Sequence, residues 1–81
     1  MRVDNPNGTF VSITAEPVDS SRIAAIGHSI LTNTMMVEFI KGGSYAYFDV
    51  PEPIFKEFKA AGSIGRYFED NIKEKYIYRK V

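Results

Sequence analysis

A nucleophile, its base and an orienting carboxylate would have to come from Asp19, Ser20, Ser21 and the single histidine, His28. Acyl transfer needs such groups in mutual contact. Asp and Ser ahead of a strand more often bond their own neighbouring backbone in turns, so no catalysis is expected here and the chain reads as a non-enzyme. Metal chemistry is equally poorly provided for. With one His and no Cys, the three or four nitrogen and sulfur ligands of a zinc site are missing, and carboxylates alone hold only hard cations. No metal and no cofactor are expected, and His28 reads as a partly buried residue at a strand end.

Anion binding has more candidates. Gly62-Ser63-Ile64-Gly65 is a G-x-x-G followed by Arg66, a pattern that can bring a phosphate to a helix N-terminus. The plainer reading, a helix stop at Gly62 and an N-cap at Ser63, is preferred. Tyr45, Tyr47, Tyr67, Tyr76 and Tyr78 lie among Arg66, Lys73, Lys75, Arg79 and Lys80, and aromatic rings beside cations are how single strands are held. About three of the five rings are expected in the core, leaving Tyr45 and Tyr78 exposed. Charge favours the same end of the chain: residues 54–81 carry seven Lys or Arg against four Asp or Glu, residues 1–53 three against six. The RNA-contact candidates are therefore Arg66, Lys73, Lys75, Arg79, Lys80, Tyr45 and Tyr78. A protein contact through Ile30 and Leu31 is the alternative, although folding back onto the core is the favoured reading of that pair.

The elements that must position these residues centre on Phe39 to Phe58. Gly42 and Gly43 suit a tight turn between strands at Met35 to Ile40 and Tyr45 to Val50. Along the second strand Tyr45, Tyr47 and Asp49 share one face and Ala46, Phe48 and Val50 the other. The latter is expected to be the core face that receives the helices. Pro51 and Pro53 fit a helix start, Ile54, Phe55, Phe58 and Ala61 recur at helical spacing, and Ser63 opens a second helix carrying Ile64, Phe68 and Ile72, expected to end near residues 73–75. Strands are also expected over Thr9 to Ala15 and Arg22 to His28, with a short final one from Tyr76. The expected fold is α+β, an antiparallel meander of three to four strands followed by two helices. Residues 1–8 read as a flexible leader and residues 9–81 as one domain.

Eighty-one residues, a quarter of them charged, suffice for one small core. No apolar run approaches a membrane span and none resembles an export signal, so a cytoplasmic location is expected.

The ordered segments Val18-Asp19-Ser20-Ser21-Arg22-Ile23, Ile26-Gly27-His28, Thr34-Met35, Val37-Glu38-Phe39, Gly42-Gly43, Tyr45-Ala46-Tyr47, Val50-Pro51, Ala61, Ser63-Ile64-Gly65-Arg66-Tyr67-Phe68, Ile72 and Tyr76 together resemble the KTSC domain. That module occurs at the C-terminus of some lysyl-tRNA synthetases and as a stand-alone bacterial or phage protein. The resemblance implies an α+β domain without enzymatic activity, and RNA as a partner through the synthetase connection. It also leaves open a protein-interaction or accessory role without nucleic acid. This chain departs from the pattern in three places. His28-Ser29 stands where Tyr-Asp is usual, Ile30-Leu31 replaces a polar turn, and Glu69 stands where Asn is common.

Overall fold

The computed structural model describes residues 1–81. Five strands form one antiparallel sheet in sequence order: β3 (Glu16–Pro17), β4 (Ile23–Ser29), β5 (Thr34–Phe39), β6 (Ser44–Tyr47) and, after the helices, β7 (Tyr78–Lys80). Helices α1 (Glu52–Ala60) and α2 (Ile64–Asn71) lie between β6 and β7. The expected meander followed by two helices is what the chain forms, with a closing strand added at the β6 edge.

The first strand is a surprise, whereas the second lies within the strand expected over Thr9 to Ala15. β1 (Arg2–Asp4) and β2 (Phe10–Ser12) pair as a separate two-stranded arm, so the flexible leader expected at residues 1–8 is corrected. Polar composition misled the reading because one apolar residue, Val3, is fully buried. Asn5 then ties the arm to the sheet, its Oδ1 accepting from buried Thr34 Oγ1 at 2.6 Å.

Both faces of the sheet are consequently covered. One carries Ile23, Ile26, Met35, Val37 and Tyr47 against Phe58, Ile64, Phe68 and Ile72 of the helical layer. The other carries Met36, Ala46 and Phe48 against Val3 and Ile13. The expectation that the helices pack on the face bearing both Phe48 and Val50 is thus wrong. Asp49 takes a left-handed φ of 58°, which breaks the alternation and sends Phe48 to the arm while Val50 joins the helix side. A second irregularity acts on β4. Ile23 pairs with Phe39 and Ala25 with Glu38, leaving Ala24 as a bulge that brings Ile23 onto the same face as Ile26.

Local signals place the turns and helices. Gly42 and Gly43 adopt φ of 115° and 84° between β5 and β6, values that disfavour a Cβ. Pro51 is the N-cap of α1 with Pro53 in its first turn, and Lys59 in the last turn pairs with Glu16 of β3 at 3.0 Å. Ser63 caps α2, its side chain accepting from Arg66 N. Helix α1 ends one residue sooner than expected, at an extended Ala61, and Gly62 is not left-handed. Ile30 and Leu31 do not fold back: they are 63% and 87% exposed at the β4–β5 turn. Asn33 at its end adopts φ of 51°, which turns the chain outward there.

Candidate nucleic-acid interface

The register of three strands builds an aromatic cleft. Tyr47 pairs with Tyr78 and Tyr45 with Lys80 across β6 and β7, while Tyr45 pairs with Val37 across β6 and β5. Because partners opposite one another share a face, Tyr45, Tyr47, Tyr78 and Lys80 all point to the helix side. There the sheet outruns the helical layer. An open cleft of about 530 Å³ is lined by Phe39, Tyr45, Tyr47, Phe68, Tyr76 and Tyr78, with Arg22, Lys41, Lys73, Glu69 and Glu74 around them.

The rings form a continuous set. Tyr78 lies 5.6 Å from Tyr47 and 5.8 Å from Tyr45, centroid to centroid. Phe39 meets Tyr45 and Phe68 edge-on at 5.6 and 5.3 Å, an arrangement favoured by the ring quadrupoles. Exposure is graded along the set, from Tyr47 at 3% to Tyr78 at 56%. The floor is held by packing and the mouth offers a free ring. A planar ligand can stack on Tyr78 without displacing the core.

Burial pushes the Tyr47 phenol up to about 12, with the neighbouring phenols of Tyr78 and Tyr45 adding to the effect. An ionising group whose charged form is the deprotonated one, and whose folded pKa is raised, makes the native state hold its proton longer. Stability is therefore complete below the ordinary tyrosine range and falls as pH climbs from about 10 to about 12. Denaturant unfolding at stepped alkaline pH should show this decline, and Tyr47→Phe should flatten it.

A second, polar cleft of about 640 Å³ lies where the Asp19–Arg22 corner meets the start of α2, between Gly62 and Arg66. Ser20 Oγ accepts from the backbone N–H groups of Arg22 and Ile23 at 3.2 Å each, the turn role expected of it. Arg22 crosses over Gly65, where an added Cβ would stand 3.6 Å from Arg22 Cδ, and its guanidinium bonds the Glu69 carboxylate. That bond holds Glu69 below the usual glutamate range, with Lys73 contributing.

The predicted residues divide between these places. Tyr45, Tyr78 and Lys73 meet in the aromatic cleft, and Lys80 shares its face. Arg66 lies in the polar cleft, 84% exposed in its side chain and 3.8 Å from Asp70. Arg79 does not belong with them. It projects to the arm side, donating to Asp4 O at 3.3 Å with its guanidinium 5.8 Å from the Phe48 ring centre. Lys75 is exposed beyond α2 and lines neither cleft. Ile30 and Leu31 sit at the far turn. Arg22 and Lys41 are the cations that sequence reasoning missed, because only pairing and the Glu69 contact bring them to residues 69–78; period-2 spacing of Tyr45 with Tyr47 and of Tyr76 with Tyr78 was the available signal for the rings.

The groups considered for catalysis are kept apart. His28 Nε2 lies 2.7 Å from Val50 O and its ring stacks on Phe55 at 5.1 Å. Ser20 precedes β4 and His28 is near its end, roughly 20 Å away along a seven-residue strand. No three His, Asp or Glu side chains gather in a metal-holding group. No helix is long and apolar enough to cross a membrane.

A small antiparallel sheet with two helices on one face, an added arm on the other and an aromatic cleft at its edge is the architecture of a compact α+β domain. A family model described as the KTSC domain matches residues 19–76, and the chain belongs to that family. It is similar to a protein of Tsukamurella paurometabola, 33% identical over 61 residues that span 75% of this chain and 91% of the other. It is also similar to the lysine–tRNA ligase of Trichormus variabilis, 35% identical over 63 residues, 78% of this chain and 11% of the ligase. Among solved structures, a KTSC domain protein from Yersinia pestis superposes with a TM-score of 0.85 at 37% identity, covering 86% of this chain and 99% of that one.

Proposed function

We propose that this chain is a small non-enzymatic, cytoplasmic binding module that takes unpaired RNA in its tyrosine cleft. The observation that carries the reading is the graded set of Tyr47, Tyr45 and Tyr78, buried at one end, open at the other, with Lys41, Lys73 and Arg22 on the rim. Every base offers a π-face to such a ring, and lysines track phosphates as point charges. The similarity to part of a lysine–tRNA ligase supports an RNA setting. A titration of labelled single-stranded RNA at stepped salt tests it. With about three or four phosphates neutralised, affinity is expected to be micromolar at low salt, with a log–log slope of about −2 to −3. Retention that ignores salt would contradict the reading.

A second reading rests on the exposure of Ile30 and Leu31 at the opposite turn. Adjacent apolar side chains in water mark a protein contact when a partner covers them. Concentration-dependent association abolished by Ile30→Asp with Leu31→Asp, in the absence of RNA binding, would make this the function.

A further inference from the structure

Arg22 and Glu69 line both the tyrosine cleft and the polar cleft. Their ion pair is therefore a shared wall between the two clefts. From the Lys41 and Lys73 rim on one side to Arg66 on the other, Arg22 is the cation in the middle. We infer that the two clefts work as one groove, in which a backbone phosphate of the bound strand takes the Arg22 guanidinium in place of the Glu69 carboxylate. The inference rests on the RNA reading above and adds the strand's path and the residue that opposes its binding.

The exchange is chemically matched. A guanidinium presents the same fork of N–H donors to the two oxygens of a carboxylate as to two oxygens of a phosphate, so one anionic acceptor replaces another. It is also accessible, since the Arg22 and Glu69 side chains are 48% and 35% exposed and nothing must unfold to part them. Glu69 is not orphaned when it lets go, because its other oxygen, Oε2, lies 3.5 Å from Nζ of Lys73, four residues on and just past the end of α2. Arg22 keeps its place through its stem, which rests over Gly65. Glu69 thus acts as a built-in competitor: while it holds Arg22, the middle of the groove is neutral.

Removing the competitor should then strengthen binding by more than the loss of one negative charge can explain. The probe is a labelled single-stranded oligouridylate of about eight nucleotides, long enough to enter both clefts. Glu69→Gln is compared with Glu74→Gln, which removes a charge from the same cleft without touching Arg22. Glu69→Gln is expected to tighten binding about threefold or more beyond Glu74→Gln, and the excess should vanish in an Arg22→Gln background. In the wild-type protein the Arg22 Nε–Hε NMR resonance should shift as RNA is added. All three positions changed or probed are solvent-reachable, and thermal melts verify that each variant is folded. Equal gains from Glu69→Gln and Glu74→Gln, a gain that survives Arg22→Gln, or an unmoved Arg22 resonance would overturn the groove. If the wild type meanwhile binds and Tyr78→Ala weakens it, the tyrosine cleft stands and only the exchange falls; if the wild type binds no RNA, both fall.

Discussion

Phe58→Ala is expected to remove about a quarter or more of the protein's stability and, at the low end of its range, to unfold it. Phe58 is fully buried, its ring 5.5 Å from Tyr67 in a near-parallel stack and 6.4 Å from Phe68. It is the fully buried α1 residue that joins this helix to α2 and the sheet. Truncating such a ring costs about 3–5 kcal/mol in lost transfer energy and residual cavity. A domain of this length holds about 4–12 kcal/mol in total. Urea unfolding followed by tyrosine fluorescence and far-UV circular dichroism should show the midpoint fall by about a quarter at the least. A loss under about 1 kcal/mol would mean that α1 is not anchored through this ring.

Gly27→Val should detach the arm while leaving the main sheet in place. A Cβ at Gly27 would stand 2.7 Å from Thr14 O and 2.8 Å from Ile13 Cγ2. The nearer atom is backbone, so the clash cannot be relieved by a rotamer change, and segment 13–15 must move off the sheet. Overpacking of this kind costs about 1–3 kcal/mol. The exposure of Val3, Ile13 and Met36, now buried together, adds to that. Amide hydrogen exchange should quicken at Val3, Val11 and Ile13, whereas Val37 and Met35 between β4 and β6 keep their protection. Uniform loss across the sheet would show that arm and sheet unfold as one unit.

The parts of this fold that were legible in the sequence are those with strong local chemistry. The Gly42-Gly43 turn, the Pro51 entry to α1, the Ser63 cap of α2 and the alternation in β5 and β6 each follow from backbone preferences of single residues. Only half of the arm was legible: β2 lies within the strand expected over Thr9 to Ala15, whereas β1 was hidden because its single buried side chain, Val3, sits in polar surroundings and the arm's contacts are with Gly27 and Thr34, distant in sequence. Which face of β6 meets the helices was hidden for a similar reason. Alternation names two faces but not their partners, and here both are buried. The departure of Asp49 into the left-handed region, which parts Phe48 from Val50, carries no glycine to announce it.

The same distinction governs the site. Tyr78 could be found as an exposed ring, whereas Tyr45, expected exposed as well, is half-buried against the core, and Lys73 and Lys80 could be found by charge because the C-terminal half is locally basic. Arg79 was carried along by proximity in sequence, although one residue's step along a strand reverses its face and the pairing with Ala46 puts it on the arm side. Arg22 escaped notice because it sits 47 residues from Glu69, the group that holds it.

The account's central claim is that an unpaired base stacks in the tyrosine cleft, and it is tested most directly by titrating one labelled single-stranded RNA into wild type, Tyr78→Ala and Arg79→Gln at low salt. Tyr78 is the exposed ring of the cleft, and Arg79, its neighbour in sequence, lies on the other face. Loss of one stacking ring should weaken binding by about 5- to 150-fold, from the 1–3 kcal/mol that base–aromatic stacking contributes, whereas Arg79→Gln should shift affinity only by the small, salt-screened effect of one distant charge. Equal, slight losses from both variants, or a larger one from Arg79→Gln, would contradict the claim and place any RNA contact elsewhere on the protein.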